Sequence, residues 1–233
     1  MKDEYTIKPI AYIHTDFKEK FGIPRQSGLA KSAVGKIVFE ADYRDEDALR
    51  GLEGYSHIWL IFGFSEARRN KWCPTVRPPR LGGNVRQGVF ASRSPFRPNS
   101  LGLSCVQIKD IVKTDDNGMI VEVFGADLLD MTPVYDIKPY LPFADSIPDA
   151  KGGYADKVKD YSLEVEIPDD VLIPEDKICA VRESLGQDPR PSYQEDEKRI
   201  YSMKYADMDI HFKVKDGCAI VTGVDFCDNK KTE

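Results

Sequence analysis

The sequence predicts a mainly β fold, in which an N-terminal antiparallel β-barrel is followed by a small α+β domain. Three observations support this prediction. The apolar segments of the first 150 residues are short, are bounded by turn-forming residues, and are not separated by long amphipathic helices. Residues 149–159 are small, polar and Gly-rich, as in a linker. A helical pattern and a hairpin pattern follow. We therefore place the barrel domain at residues 1–150 and the α+β domain at residues 160–233.

The first 64 residues contain three segments that favour β-strands. Residues 5–14 are rich in Tyr and Ile and precede a Thr-Asp turn, and residues 36–40 form a second, short strand. Residues 55–64 are almost continuously apolar, which is typical of a buried strand. Before this third strand, residues 45–52 carry acids in the first turn of a predicted short helix.

A long polar loop separates the first two strands. Residues 18–36 are marked by Gly and Pro, and Pro24-Arg25-Gln26 lies near the centre. A loop of this length without regular structure is more often functional than idle. We therefore treat it as a candidate binding element.

Positive charge is concentrated in one irregular segment. Residues 67–109 carry nine Lys or Arg and no Asp or Glu, so the rest of the chain has 24 basic against 39 acidic residues, a net charge of -15. Prolines and glycines prevent a regular helix here. The arginines at the centre of this segment are Arg77, Arg80, Arg86, Arg93 and Arg97. Guanidinium groups offer planar forks of donors to phosphate or carboxylate groups. The segment predicts an anion-binding surface, and a solvated charged face is the alternative.

A hairpin and an acidic segment complete the predicted barrel domain. Residues 103–112 and 119–124 favour paired strands, joined by a turn of Asp, Asn and Gly. Residues 125–143 then mix acids with apolar residues and prolines. Such a segment should not form one clean strand, and we expect sharp turns at Thr132-Pro133 and at Lys138-Pro139.

The acids of that segment have several possible roles. Asp127, Asp130 and Asp136 suit general bases, metal ligands or hydrogen-bond acceptors for ribose or amine groups, and they equally suit turns. No His is near in sequence and no DxD spacing occurs, so we expect no dedicated metal site.

The last third of the chain favours one helix and one hairpin. Residues 174–185 have a helical pattern with Pro at the start and Gly186 at the end. Residues 207–215 and 218–226 predict two paired strands. This segment is therefore expected to fold as a small α+β unit.

Composition and termini narrow the class of protein. Of the 233 residues, 41% are hydrophobic and 31% are charged, which is typical of a soluble globular protein. The charged N-terminus lacks the apolar core of a secretion signal, and no segment has the ~18 apolar residues of a membrane span. The five cysteines form no CxxC pair, which favours reduced thiols over disulfides or a zinc site. We expect a cytoplasmic protein without membrane contact.

The common catalytic signatures are missing from the sequence. It contains no GxSxG elbow, Walker loop or HExxH, and no strand followed by GxGxxG. A Rossmann-type nucleotide site is therefore not supported. The residues alone leave the reaction open.

Five long segments resemble the TsaA-like tRNA methyltransferase family of the TrmO type. They occur in the family's order and span nearly the whole chain: KFGIPRQSGLAKSA, GLEGYSHIWLIFGF, TVRPPRLGGNVRQGVFASRSPFRPNSLG, DLLDMTPVYDIKPYLPFADSIPDA and QDPRPSY. The resemblance implies a barrel that is not a Rossmann methyltransferase, with S-adenosylmethionine as donor. It also implies methylation of the exocyclic nitrogen of N6-threonylcarbamoyladenosine, next to the anticodon of threonine tRNA, by a homodimer.

The resemblance also implies a set of site residues. The donor would be bound by residues from four parts of the chain and by the turn at residues 130–133: Pro24, Arg25, Gln26, Ser65, Glu66, Arg93, Leu103, Asp130, Met131, Thr132 and Pro133. For the substrate side and catalysis we predict Arg97, Asn99, Asp136, Lys138 and Tyr140. Asp136 or a neighbouring acid would accept a hydrogen bond from the attacking nitrogen, and an arginine would bind the threonyl carboxylate.

RNA contacts are expected from the remaining arginines. Arg77, Arg80 and Arg86 would meet the RNA backbone or brace their loop, and Arg190 would contact RNA from the C-terminal unit. That unit carries further basic residues and is interpreted as a clamp for the tRNA body. The alternative is that it only adds stability.

Two other functions stay open at this point. A non-catalytic RNA-binding module would bind RNA but would not bind S-adenosylmethionine saturably. A phosphohydrolase or nucleotide-binding enzyme would use the arginines on a small phosphate and would ignore tRNA. The second alternative also lacks a recognisable metal site.

Overall fold

A six-stranded antiparallel barrel forms the N-terminal part of the fold. The structure is a computed structural model and describes residues 4–66, 72–78, 85–157, 159–191 and 196–227. The barrel strands are β1 Ala11–Thr15, β2 Val34–Phe39, β3 His57–Gly63, β6 Leu101–Thr114, β7 Gly118–Phe124 and β8 Thr132–Pro139. They close in the order β1-β2-β7-β6-β3-β8. The prediction of a mainly β fold with an antiparallel barrel is confirmed.

Alternating side chains give the barrel its core. On β3, Ile58, Leu60 and Phe62 point inward and are at most 3% exposed, while the residues between them face outward. Strand β6 is long enough to pair with two neighbouring strands. Its first half pairs with β3 and its second half pairs with β7, which confirms the predicted hairpin. The barrel interior is therefore packed with side chains and is not a channel.

Short elements connect these strands. Strands β4 Thr75–Val76 and β5 Gln87–Gly88 form a separate two-stranded ribbon, and helix α1 Pro142–Asp145 follows β8. The described 3-10 turns are Ala41–Tyr43, Glu46–Leu49, Leu52–Gly54, Val89–Ala91 and Gly153–Lys157.

Three local predictions need correction. The expected helix at residues 45–52 consists of 3-10 turns, in which the Asp45 carboxylate accepts a hydrogen bond from the Asp47 N–H at 2.9 Å. The expected strand at residues 5–14 is shorter than predicted, since β1 runs only from Ala11 to Thr15, where it pairs with β2 and β8.

The third correction concerns the predicted turns at the two prolines of the acidic segment. Residues 132–139 form one continuous strand, and the chain turns just before it. Pro133 lies beyond the last residue that pairs with β3, and Pro139 ends the strand. At such terminal positions the missing proline N–H costs little, because one side of the ladder is already incomplete.

The C-terminal part is a four-stranded sheet covered by one helix. The elements are β9 Glu164–Glu166, α2 Glu175–Gly186, β10 Tyr201–Tyr205, β11 Met208–Lys215 and β12 Cys218–Phe226. Strands β10, β11 and β12 are antiparallel, and β9 joins β12 in parallel. The helix and the closing hairpin agree with the sequence prediction. Strands β9 and β10 were not predicted. Strand β9 has only three residues, whereas the alternation Tyr-Ser-Met-Lys-Tyr in β10 was an available strand signal that was overlooked.

The two parts share a core. Phe17, Ala30 and Ala33, from the loop between β1 and β2, are buried in the hydrophobic cluster of the C-terminal sheet. The domain ranges 1–150 and 160–233 stay a prediction, since this loop lies in the first range and packs in the second. Within the described residues, no helix is both long and apolar enough to cross a membrane.

Candidate active site

The residues predicted to bind the donor lie at one end of the barrel. Strands β1, β3 and β7 end there, and strands β2, β6 and β8 begin there. We call this end the rim. Three loops leave it, residues 16–33, 64–100 and 125–131. All predicted donor residues lie on these loops or within the first strand residues below them, although they are far apart in sequence.

Gln26 and Arg93 meet across two of these loops. A guanidinium N–H of Arg93 donates to the side-chain oxygen of Gln26. Pro24, two residues earlier, is buried, and Gly28 is tied to the third loop by a backbone hydrogen bond to the Gly125 carbonyl at 2.9 Å. The hydrogen bond between Arg93 and Gln26 therefore holds the exposed Arg93 side chain over the rim.

An enclosed carboxyl group lies near Arg93. Asp127 accepts a hydrogen bond from the Ser104 hydroxyl at 2.6 Å. Burial raises the pKa of Asp127 above its ordinary value, and the hydrogen bond from Ser104 and the charge of Arg93 offset this only in part. Asp127 was one of three acids singled out from the sequence, but nothing local indicated that it would be the enclosed one.

Asp130 has the opposite environment. It accepts hydrogen bonds from the Thr15 backbone N–H at 3.0 Å and from the Lys18 ammonium group at 2.8 Å. Burial alone would raise the pKa of Asp130, but the hydrogen bonds from Lys18 and Thr15 outweigh it and hold the pKa below its ordinary value. Asp130 is therefore a fixed anion at the rim.

The turn after Asp130 has an unusual backbone. Met131 has φ of 60°, in the left-handed region that non-glycine residues seldom occupy, and its side chain is 50% exposed. Thr132 closes the turn, because its hydroxyl donates to the Leu129 carbonyl at 2.6 Å. Strain of this kind persists where the surrounding structure holds it, and functional sites are a common place for it.

Ser65 and Glu66 occupy the edge of the rim. The Lys20 ammonium group donates to the Glu66 carbonyl at 2.9 Å and lies 3.2 Å from its carboxylate. This contact again joins the loop after β3 to the loop after β1. Ser65 is exposed beside it.

Two further predicted residues lie side by side on the outer face of the barrel, which we call the outer wall, just below the rim. Leu103 and Asp136 are both direct cross-strand neighbours of Ile61, and such neighbours face the same side of a sheet. Leu103 is 54% exposed, and the side chain of Asp136 is 46% exposed. The structure therefore places a predicted donor residue and the predicted acid on one outward-facing row.

Lys138 and Tyr140 lie further from the rim. Lys138 pairs with Trp59 and places its ammonium group 2.9 Å from the Asp136 carboxylate. Tyr140 is level with His57, at the other end of β3, where its ring packs 5.9 Å from that of Trp59. Within one chain, Lys138 and Tyr140 therefore lie apart from the predicted donor-binding residues.

Tyr135 was missed by sequence reasoning. It sits at a register shift between β3 and β8, and its ring covers Gly63 at the rim. A Cβ atom at position 63 would lie 2.7 Å from the Tyr135 ring, so a larger residue there would displace this ring. A glycine at the end of an apolar strand was the available signal, since it indicates close approach of another group.

Arg97 and Asn99 stabilise the end of the long basic loop. The guanidinium group of Arg97 donates to the Ser92 carbonyl at 3.0 Å and to the Ser94 carbonyl at 3.4 Å. The Asn99 carbonyl accepts from the Leu101 N–H at 2.7 Å, immediately before β6. Both residues are therefore near the rim, and the described bonds of Arg97 order its own loop.

The other basic residues have different positions. Arg77 and Arg86 are exposed beside the ribbon of β4 and β5, while Arg80 lies outside the described residues. Arg190 is held in a bidentate ion pair with Asp188, at 2.8 and 3.0 Å, and its side chain is only 13% exposed. This geometry does not support an RNA contact for Arg190, because its guanidinium group already serves the C-terminal fold.

The C-terminal unit holds the 16–33 loop at several points. Phe17 packs edge-on against Tyr205, with ring centroids 5.2 Å apart, and forms a β-bridge with it. The Lys177 ammonium group lies 2.7 Å from the Asp16 carboxylate, and Glu183 accepts hydrogen bonds from Ser32. The loop that carries Pro24-Arg25-Gln26 is thus anchored on both sides of these residues.

Comparison with known proteins places the whole chain in one group. Residues 12–146 match the family model described as the tRNA-methyltransferase O N-terminal domain, and residues 177–226 match the TrmO C-terminal domain. The chain is 44% identical over 222 residues to the tRNA (adenine(37)-N6)-methyltransferase of Escherichia coli (strain K12), covering 91% of this chain and 94% of that protein.

More distant relatives and solved structures agree with this result. A Mus musculus protein with the same name is 37% identical over 144 residues, which are 60% of this chain and 31% of that protein. A crystal structure of TrmO from Pseudomonas aeruginosa superposes with a TM-score of 0.78 and 33% sequence identity, covering 96% of this chain and 99% of that one. The likeness therefore extends over both parts of the fold.

Proposed function

The chain belongs to the TrmO family of tRNA methyltransferases, and we propose that it methylates the N6 nitrogen of N6-threonylcarbamoyladenosine, next to the anticodon of threonine tRNA, with S-adenosylmethionine as the methyl donor. One observation carries the proposal. The eleven residues that the resemblance assigns to the donor come from loops and strands that meet at one rim of the barrel.

The chemistry of the rim fits this donor. S-adenosylmethionine carries a carboxylate, an ammonium group, a sulfonium centre and an adenosine. Arg93, held by Gln26, suits the carboxylate, and the anionic Asp130 suits the positive groups. Leu103 and Met131 supply exposed apolar contacts for the adenosine. The donor contributes an activated methyl group, so no nucleophilic side chain is required.

The chain's own residues then have to orient the two reactants and accept a proton. Methyl transfer breaks the carbon–sulfur bond, forms the nitrogen–carbon bond and releases the proton of the N6 group. We assign Asp136 as the hydrogen-bond acceptor for that N–H, with Lys138 holding its carboxylate at 2.9 Å. Arg97 and Asn99, on the loop above β6, would bind the threonylcarbamoyl group. Most of the rate enhancement would come from this positioning.

A homodimer would complete the site. Asp136, Lys138 and Tyr140 lie on the outer wall, beside the exposed apolar side chains of Leu101 and Leu103. An exposed apolar wall is typical of a surface that contacts another protein. We propose that the outer wall of one subunit faces the rim of its partner, so that the acid of one chain serves the donor of the other.

Mixing two impaired variants, at a donor concentration well below the dissociation constant of Arg93→Ala, tests this arrangement. Arg93→Ala removes a donor contact, and Asp136→Asn removes the acceptor. If the two residues act on opposite sides of one shared site, mixed dimers regain one intact site, and an equimolar mixture recovers roughly a quarter of wild-type turnover. No recovery would place both residues in the same subunit's site, and sedimentation as a monomer would exclude the dimer.

The substrate also determines where the protein works. We propose that the chain acts in the cytoplasm, where it would meet its proposed tRNA substrate. Cell fractionation would check this location.

Mass spectrometry of nucleosides tests the function itself. Wild-type protein and donor are incubated with threonine tRNA that carries the threonylcarbamoyl group and with tRNA that lacks it. We expect one additional methyl group on N6-threonylcarbamoyladenosine, and only on the modified tRNA. Absence of a methylated product on both substrates would contradict the proposal.

A further inference from the structure

Two large aromatic side chains are exposed on the ribbon that leaves the rim. Trp72 is 53% exposed and Phe90 is 73% exposed, and their ring centroids lie 6.2 Å apart at an interplanar angle of 30°. Neither is used by the reaction described above. Large aromatic rings usually reach a core or a partner, so an exposed pair in mutual contact calls for an explanation.

The local fold holds this pair in place. The Val89 N–H donates to the Pro74 carbonyl at 2.9 Å, which extends the ladder of β4 and β5 toward the two rings. Val89 is buried, with 1% exposure, while the next residue, Phe90, faces solvent. We call residues 72–78 and 85–91 the basic arm.

The charge around the pair identifies the chemistry of its partner. The arm lies within residues 67–109, which contain nine basic residues and no acid. Arg77 directly follows β4 and Arg86 directly precedes β5, so two exposed arginines flank the last pair of the ladder. Like charges on opposite strands are unfavourable unless an anion lies between or beside them. The partner therefore combines anionic groups with flat apolar faces.

We propose that the basic arm binds single-stranded RNA, with an unpaired base stacked on the Trp72 and Phe90 rings and phosphates further along the strand held by Arg77 and Arg86, at the other end of the ladder. This inference rests on the proposed function, because the arm borders the rim at which the tRNA loop would react. Aromatic rings and cationic side chains together are the usual surface for unstacked bases and their backbone.

Tryptophan fluorescence provides the test. The chain contains two tryptophans, so Trp72 alone reports in a Trp59→Phe background. Titration with an unmodified RNA stem-loop should quench Trp72, and a blunt RNA duplex of equal length, which offers no unpaired base, should quench it much less. Equal quenching by the two RNAs would overturn base stacking.

Leucine variants of Trp72 and Phe90 measure how much each ring contributes to RNA affinity. Trp72→Leu and Phe90→Leu should each weaken stem-loop binding roughly 5- to 150-fold, the range for one stacked base, with unchanged affinity for S-adenosylmethionine. Phe143→Leu, at another exposed aromatic, is the control. Unchanged RNA affinity in both variants would contradict the proposal.

A second copy of the chain is the competing partner for this surface. If the rings pack in a protein interface, Trp72 fluorescence will change with protein concentration without RNA, and both variants will shift the sedimentation coefficient. That outcome would also overturn the proposal. Nucleoside mass spectrometry on the same wild-type preparation separates a failure of the stacking site from a failure of the proposed methyltransferase function. Methylation with unaffected arm variants disproves only the stacking site, whereas quenching without methylation disproves only the enzymatic assignment.

Discussion

The 16–33 loop and the basic arm leave the same rim of the barrel, and they differ in how deeply they are packed, because the C-terminal unit anchors the loop. Phe17 and Ala30, from the loop, are at most 1% exposed in the C-terminal core, whereas Trp72 and Phe90 of the arm are more than half exposed. A pocket for a small donor gains affinity from preorganisation. A surface for RNA gains from accessible rings and charges. The difference suggests that the two loops divide the work of the site.

The close packing at the base of the 16–33 loop shows how strongly it is held. Gly22 has φ of 95°, and a Cβ atom there would lie 2.4 Å from the Met203 side chain. The loop backbone therefore lies directly on β10. The C-terminal unit thus has a role that neither the clamp nor the simple stability interpretation includes, because it positions the loop that we propose binds the donor.

The largest expected effect comes from removing the anchor. Phe17→Ala should lower the free energy of unfolding by about 3–5 kcal/mol, because a fully buried ring is lost, and should weaken donor binding because the loop is no longer fixed. Denaturant titration and donor calorimetry measure the two effects. Phe143→Ala, at an 87% exposed ring, should change neither. Loss of stability with full donor affinity would show that the anchor does not position the loop.

The next effect concerns the donor alone. Arg93→Ala should raise the donor dissociation constant roughly 10- to 150-fold, because a charge-assisted hydrogen bond is lost, and should leave tRNA affinity nearly unchanged. Calorimetry with S-adenosylmethionine measures it. Arg93→Lys keeps the charge but not the planar fork, so an intermediate loss is expected.

A smaller effect is expected on the arm. Arg86→Ala should weaken tRNA binding a few-fold and reduce the slope of log K against log salt by about 1, with the donor dissociation constant unchanged. Filter binding over a salt series measures the slope. Arg50→Ala, an exposed arginine at the opposite end of the barrel, is the control. Equal losses of donor and tRNA binding at Arg86 and Arg93 would show that the basic segment acts as one undivided loop.

The smallest expected effect is on the pH dependence of the free energy of unfolding. The folded-state pKa of Asp130 is lowered, so its ionised form stabilises the fold above the unfolded pKa, and this contribution is lost as pH falls through the folded pKa. Lys18→Gln removes the strongest of the contacts that lower it. The fall in unfolding free energy between about pH 7 and about pH 3 should therefore be smaller in this variant. Lys31→Gln, exposed on the same loop, should behave like the wild type.

Local patterns in the sequence predicted most strands and the character of the arm. Continuous or alternating apolar residues were sufficient for β3, β6 and β7, because each pattern reports one strand's own burial. The prolines at 133 and 139 misled the prediction, because their effect depends on which neighbour pairs beside them. Local signals indicated the 18–36 loop, Arg93 and Asp130 as candidate binding residues, but their assignment to the donor followed from long family motifs.

By itself, then, the sequence determined a barrel followed by an α+β unit, an acid-free basic segment and membership of a methyltransferase family. The tertiary structure decided which residues meet. Gln26 contacts Arg93 over 67 positions, and Asp127 is enclosed while Asp130 stays charged. It also buried Arg190 and exposed Trp72 and Phe90. Such outcomes depend on long-range closure of the barrel and on solvent access, which no short stretch of sequence contains.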